Sequence, residues 1–295
     1  MDAERVARLR SFHRTVTARV GALEGGYLGR RRPLGESRLL WEIGPDGAEV
    51  RDLRRRLGLD SGYVSRLLRS LEARGLAVVE ESASDARVRT ARLTAGGRRE
   101  RAELDRLSDE LARSILEPLD ERQREKLAAA AETVERLLTA SLVAIEPEDP
   151  RGADARWCIE QYFAELAARF ETGFDPALSI PAEDDDMTPP RGLLLVARLR
   201  GRPVGCGALK HHPGEPTELK RMWVDPGARG LGLGRRLLRE LERHAAAAGA
   251  TTLHLETNGS LVEAIALYRS AGYEEVPAFN DEPYAHHWFE KRLPG

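Results

Sequence analysis

Residues 217–235, TELKRMWVDPGARGLGLGR, constrain the second half of this chain more than any other stretch does. Glu218 to Val224 mixes apolar and charged residues as a strand with one covered face does. Asp225-Pro226-Gly227 forces a turn. Arg229-Gly230-Leu231-Gly232-Leu233-Gly234 supplies a glycine-rich loop, and a helical pattern follows it. A glycine loop that opens a helix leaves several backbone N–H groups unpaired and pointing one way, with the positive end of the helix dipole behind them. Such an arrangement cradles phosphate. Glycine suits it because a Cβ would hold the backbone away from the phosphate oxygens, and because some positions need a positive φ.

The loop does not end in Lys-Ser/Thr, so it is not a Walker A loop. A Rossmann loop needs an acidic residue at the end of a following strand, and the context offers a poor one. What fits is Arg229-x-x-Gly232-x-Gly234 directly after a strand ending Trp223-Val224-Asp225-Pro226. This resembles the acetyl-CoA pyrophosphate loop of the GNAT superfamily of N-acetyltransferases. The resemblance implies acetyl-CoA as co-substrate, its pyrophosphate on the amides of Arg229, Gly230, Leu231, Gly232, Leu233, Gly234 and Arg235. It also implies that Met222, Trp223 and Val224, with the strand end near Asn258, meet the pantetheine arm. Tyr268, in AIALYRSAGY, matches the family's tyrosine that protonates the departing thiolate; otherwise it is a core tyrosine beside Leu261 and Ile265.

Amines with pKa near 10 are protonated at neutral pH, so acetyl transfer to one is helped by a base. Glu218, at the start of the central strand, is the candidate, with a surface glutamate as the plain alternative. His211-His212 titrates near neutrality, but neighbours on a strand face opposite ways. Neither this pair nor His286-His287 makes a metal site, and no metal is expected. Cys206 lacks a visible partner base for acyl transfer. Asp184-Asp185-Asp186 reads as a solvated acidic loop or as an attraction for cationic acceptors.

The first half reads differently. Charge over the whole chain is nearly balanced, 46 basic against 48 acidic residues. Residues 48–101 nevertheless hold 13 Arg against 8 acidic residues, an excess of 5. Val50, Leu53 and Leu57 line one helix face, Gly58 breaks that helix, and Asp60 or Ser61 caps the next. That second helix turns Val64, Leu67, Leu68 and Leu71 inward and Tyr63, Ser65, Arg66 and Arg69 outward. The arrangement is a helix-turn-helix with an arginine-bearing face suited to the major groove. Strand-like runs at 76–81 and 88–93 flank a turn and make a wing. With Asp85-x-Arg87 and Leu93-Thr94-x-x-Gly97, the order resembles the MarR family of winged-helix regulators over residues 1–143.

That resemblance implies DNA contacts from Ser61, Tyr63, Ser65, Arg66 and Arg69, with Arg87 in the minor groove and Asp85 holding it. It further implies a homodimer formed through the terminal helices. Amphipathic helices at 3–23, 95–117 and 121–143 carry more apolar surface than one small core can cover. A two-fold dimer fits double-stranded DNA with a pseudo-palindromic operator.

The expected architecture is two domains: a mainly-α winged helix-turn-helix over 1–143, then an α/β GNAT fold with a central mixed sheet over 153–295. Residues 144–152 are a linker or a first short strand. Helices are expected at 34–43, 153–170 and from 231 to 249, with Ser260-x-x-Glu263 a capping box opening another. Strands are expected at 193–199, 203–210, 251–257, 273–279 and 284–293. Two apolar-flanked cysteines, Cys158 and Cys206, argue for a reducing compartment. The N-terminus lacks a signal-peptide core, and no run suits a membrane helix; the expectation is cytoplasmic. The function implied is acetylation of a small-molecule or peptide amine by a DNA-binding regulator. Two readings compete: a regulator that only senses acetyl-CoA or an amine, and an enzyme whose winged domain serves dimerisation.

Overall fold

The computed structural model describes residues 2–21, 27–29, 32–81 and 88–294. The chain forms two compact units, Met1–Ala130 and Ala131–Gly295.

In the first unit α1 (Ala3–Arg19) and α2 (Leu34–Ile43) precede β1 (Ala48–Glu49), α3 (Val50–Leu57) and α4 (Ser61–Ala73). Asp60 caps α4, its carboxylate accepting from the Tyr63 amide at 2.9 Å, as an N-cap aspartate does. β2 (Ala77–Glu81) and β3 (Arg89–Leu93) pair antiparallel, and β1 joins β3, giving the order β1-β3-β2. The hairpin tip, with Asp85 and Arg87, lies outside the described residues. Thr94 caps α5 (Ala95–Leu116), and α6 (Glu121–Ser141) follows, its residues from Ala131 onward counted with the second unit. Leu39, Leu40, Leu53, Val64, Leu68, Leu71 and Leu104 close the core. No residue of α1 or α6 is buried; Leu9, Phe12, Leu137 and Leu138 stand exposed.

The second unit is a seven-stranded sheet in the order β4-β5-β6-β7-β8-β10-β9. Residues 144–152 open as a strand: β4 is Val143–Pro147. α7 (Ala153–Arg169) leads to β5 (Gly192–Leu199), β6 (Arg202–Lys210) and β7 (Thr217–Val224). α8 (Leu233–Ala247), β8 (Thr252–Thr257), α9 (Val262–Ser270), β9 (Glu274–Val276) and β10 (His287–Arg292) complete it. Strand alternation divides the core. Leu194, Val196, Cys206 and Trp223 face α7, whereas Leu195, Ala197 and Leu209 face α8 and α9.

Two irregularities position the site. First, β7 carries one extra residue, so that Arg221 and Met222 oppose Gly207, and Arg221 takes φ +58. A bulge bends its strand and raises its twist. Second, the parallel pairing of β7 with β8 covers only Thr217↔Leu253 and Glu218↔His254. Beyond that point the strands part and leave a wedge at the carboxyl ends of both.

Three expectations are corrected. The last strands are shorter than 273–279 and 284–293, because residues 277–286 form loops tied by Asn280 and Glu282. The Ser260/Glu263 capping box does not form. The Ser260 amide donates to Asn258 Oδ1 at 2.9 Å, its hydroxyl has no partner among the described residues, and Glu263 is drawn to Arg169 at 2.7 Å. Helix α9 therefore begins at Val262 with Leu261 as its N-cap and no side-chain cap.

Candidate active site

A cavity of about 540 Å³ fills the wedge. One wall is β7, through Met222, Trp223 and Val224; another is α9, through Leu261, Ala264, Leu267 and Tyr268. The rim is the glycine loop and the start of α8: Arg229, Gly230, Gly232, Leu233, Gly234 and Arg235. Leu231, whose amide is expected with theirs, is not part of the lining, and its side chain packs on the core beneath. Gly230 and Gly232 hold φ of +77 and +72, which L residues adopt at a cost of about 1–2 kcal/mol. A Cβ at either would meet nothing within 4 Å, so the space over the loop is open. No side chain caps α8, so its first amides lack a side-chain partner, and Leu233, Gly234 and Arg235 line that space. Three cations (Arg169, Arg229 and Arg235) against two carboxylates (Glu165 and Glu263) leave the lining net positive. Open backbone, unspent amides and positive charge suit a diphosphate.

Helix α7 supplies residues that sequence reasoning missed. Glu165 accepts from Arg229 Nη2 at 2.6 Å, from Arg169 Nη1 at 3.2 Å and from Trp223 Nε1 at 2.9 Å. Burial pushes this carboxyl up, but the two guanidiniums outweigh burial and hold it below the ordinary range. Glu165 thus braces the loop arginine against the helix. The signal in the sequence was the Glu165/Arg169 spacing of four on one helix face.

Tyr268 is 5% exposed, and its ring packs edge-on to Tyr273 and against Phe289. Its hydroxyl has no hydrogen-bond partner among the described residues. Burial pushes the phenol well above its ordinary pKa, so it stays a neutral donor.

A second cavity, of about 70 Å³, adjoins the first and shares Tyr162, Leu166 and Leu261 with it. Its lining includes Phe170, Phe174, Lys220, Arg221, Glu256, Asn258, Glu282 and Tyr284. Asn258 belongs here and not to the larger cavity. Its side-chain amide donates to the Tyr284 carbonyl at 2.7 Å, and its oxygen caps the turn after β8.

Glu218 lines neither cavity. It is buried behind Lys220, whose ammonium lies 2.8 Å from it and also bonds Glu256. Burial works to raise the Glu218 carboxyl, but Lys220 outweighs burial and holds it low. A carboxylate so stabilised is a weak base. Glu256, on β8, is the converse: burial, reinforced by the charge of Glu218, raises it despite Lys220. It faces the cavity and is the better proton acceptor. Reading the 251–257 strand for charge at its end would have found it.

The other candidates are occupied. Asp185 pairs with Arg151 at 2.6 Å and Asp186 with Lys210 at 3.0 Å, which neutralises the acidic turn. Cys206 is fully buried, and its hydrogen bond with Cys158 and burial push the thiol up. His211 bonds Thr217, His212 bonds Glu218 and His287 bonds Glu275.

In the first unit α4 exposes Ser61, Arg66 and Arg69, with Tyr63 and Ser65 half-buried between them. The Arg66 guanidinium lies over the Tyr63 ring, 5.5 Å from its centroid. Among the described residues no carboxylate pairs with Arg66 or Arg69. Arg55 and Arg56, by contrast, are held by Asp52 and Glu42.

Residues 159–273 match the profile of the acetyltransferase (GNAT) family, and residues 31–88 that of the MarR family. An IAA acetyltransferase of Azospirillum brasilense is 47% identical over 91 residues, 30% of this chain and 58% of that protein. The chain thus spans little more than half of that relative's length. The N-alpha-acetyltransferase RimI of Mycobacterium tuberculosis is 35% identical over 127 residues, 42% of this chain and 75% of that protein. Among solved structures, a GNAT-family acetyltransferase of Staphylococcus aureus aligns over 52% of this chain and 99% of its own, with 17% identity and a TM-score of 0.39.

Proposed function

The chain belongs to the GNAT acetyltransferase family, with a MarR-family segment ahead of its acetyltransferase unit, and from that premise we propose that it acetylates an amine directly from acetyl-CoA while its first unit binds DNA. The observation that carries this reading is the juxtaposition of the 540 Å³ cavity, rimmed by uncapped amides and ending at Tyr268, with a smaller cavity holding Glu256. Acetyl-CoA supplies the acetyl group as an activated thioester. The amides of 229–235 and the guanidiniums at the rim would hold its diphosphate, and the freed edge of β7 its pantetheine arm. Glu256 takes the proton that the amine sheds as its nitrogen bonds to the carbonyl carbon. Tyr268 donates to the sulfur as the C–S bond breaks. Both substrates occupy adjoining cavities, which favours direct transfer in a ternary complex.

Release of free thiol from acetyl-CoA with a panel of amines tests this reading. Tyr268→Phe removes one donor at the leaving group and is expected to slow release by about 10²-fold. Heat from acetyl-CoA binding with no thiol release from any amine favours the sensing role instead.

For the first unit, Arg66 and Arg69 on α4, which have no carboxylate partner among the described residues, support contact with double-stranded DNA. The exposed apolar residues of α1 and α6 support a homodimer on a pseudo-palindromic operator, with a sedimentation mass twice the 32.7 kDa of the chain. Arg66→Ala is expected to weaken a gel shift by roughly 1–3 kcal/mol if Arg66 reads a base. If it meets only a phosphate, the salt dependence falls by about one unit of slope. An unchanged shift contradicts any role in binding DNA.

A further inference from the structure

Arg221 stands in the β7 bulge and lines the smaller cavity. Its guanidinium carbon lies 4.4 Å from the centroid of Phe163 and 6.0 Å from that of Tyr162. Among the described residues its side chain makes one hydrogen bond, a long one, from Nη2 to the Ala182 carbonyl at 3.4 Å. Nε is buried without a partner among the described residues. Among the described residues no carboxylate comes within ion-pair distance of it. Burying part of a guanidinium without a counter-charge is costly, and the aromatic platform offsets only some of that cost.

The remaining charges of this cavity are committed. Glu282 accepts from Ser179 Oγ at 2.9 Å, the Ile180 amide at 2.7 Å and the Tyr284 amide at 3.3 Å. Lys220 is shared between Glu218 and Glu256, so that cluster keeps one negative charge in excess. The cavity therefore offers an excess of negative charge at Glu256, whose oxygens accept from Lys220 and, at 3.5 Å, from Asn280, and a cationic centre without a carboxylate partner at Arg221. Its enclosed part measures only about 70 Å³, so a ligand that satisfies both carries its ammonium and its anionic group a few bonds apart, with its side chain in the open mouth of the cavity. Phe170, Phe174 and Tyr284 form a mutually packed aromatic wall beside them.

We infer that the acceptor is a free α-amino acid with an aromatic or large aliphatic side chain, its carboxylate gripped by Arg221 and its amine presented to Glu256. The inference rests on the acetyltransferase reading for the word acceptor, but not for the recognition itself. Arg221 is a specificity residue: its planar fork matches a carboxylate bidentately. Peptide N-termini and simple amines lack that carboxylate and leave the guanidinium unmet.

The test is calorimetry on the full chain in the presence of CoA, with L-phenylalanine, L-phenylalaninamide and phenethylamine as ligands, and acetyl-CoA titrated on the same preparation. L-phenylalanine is expected to bind roughly 30–100-fold more tightly than either analogue, the scale of a lost charged hydrogen-bond pair. Arg221→Gln is expected to bring L-phenylalanine down to the level of phenethylamine while leaving phenethylamine and acetyl-CoA unaffected. Arg221→Lys, which keeps the charge and loses the fork, should recover part of the preference. Equal binding of the three ligands, or an equal loss for all three in Arg221→Gln, overturns the inference. Heat from acetyl-CoA without heat from L-phenylalanine overturns it too and leaves the acetyltransferase reading standing. Absence of both removes both.

Discussion

Glu256→Gln is expected to slow amine acetylation at neutral pH by about 10²–10⁴-fold, the usual worth of a general base. The substitution is nearly isosteric, and Lys220 keeps Glu218 as a partner at 2.8 Å, so the fold has no reason to change. The pH dependence separates a base from a structural carboxylate. Glu256 acts in its charged form, and burial places its ionisation above the ordinary carboxylate range. Activity should therefore climb with pH through a limb displaced upward from that range, and Glu256→Gln should abolish the limb. Tyr268 keeps its proton well past neutrality and adds no alkaline limb near physiological pH. Glu218→Gln, which removes a carboxylate already held low, should cost far less. A profile in which Glu218→Gln is the crippling change and Glu256→Gln is mild contradicts this assignment.

Lys220→Met is expected to destabilise the second unit by about 3–5 kcal/mol, because it strands two buried carboxylates without their cation. Glu218, Lys220 and Glu256 have side chains only 5%, 10% and 8% exposed, so water cannot take over the pairing. The sign with pH follows from linkage. Without the ammonium both carboxyls ionise at higher pH in the folded protein than in the unfolded one. The deficit is then fully present above the folded values and shrinks as falling pH protonates them. Three of the four tryptophans (Trp157, Trp223 and Trp288) lie in the second unit, so urea titrations followed by tryptophan fluorescence at neutral and mildly acid pH report on it. A deficit that does not change with pH would mean that Lys220 acts through packing of its stem and not through its charge.

Much of this arrangement was legible in the sequence, for identifiable reasons. Gly230, Gly232 and Gly234 advertise the loop because only that backbone can lie open over a helix start. Alternation and helical periodicity gave α2 and α8 and the strands β5 and β6, since each buries a continuous apolar face. The position of Tyr268 at the cavity end follows from its helix facing the core. What stayed hidden depends on long-range placement. Glu218 and Glu256 are equivalent in sequence, each a lone glutamate on a strand; which one faces the cavity is set by the register of β7 on β8 and by the bulge at Arg221. Glu165 contributes to the site only because α7 crosses the sheet face beneath Trp223. Asn258 is the right residue type at the right strand end, yet its side chain is spent on the Tyr284 carbonyl. Ser260 and Glu263 have the spacing of a capping box, and Arg169, 94 residues before Glu263, takes the glutamate away.

The role of the glycine-rimmed cavity is tested most directly by calorimetric titration of acetyl-CoA into the full chain and into Gly232→Val. The expected result is saturable binding near one per chain, with a Kd of about 1–100 μM, and a loss of at least roughly tenfold in the variant. A β-branched residue at φ +72 strains the backbone and fills the space over the loop amides. Absence of heat with the wild-type chain, or equal affinity for the two proteins, contradicts the claim that these amides hold the diphosphate.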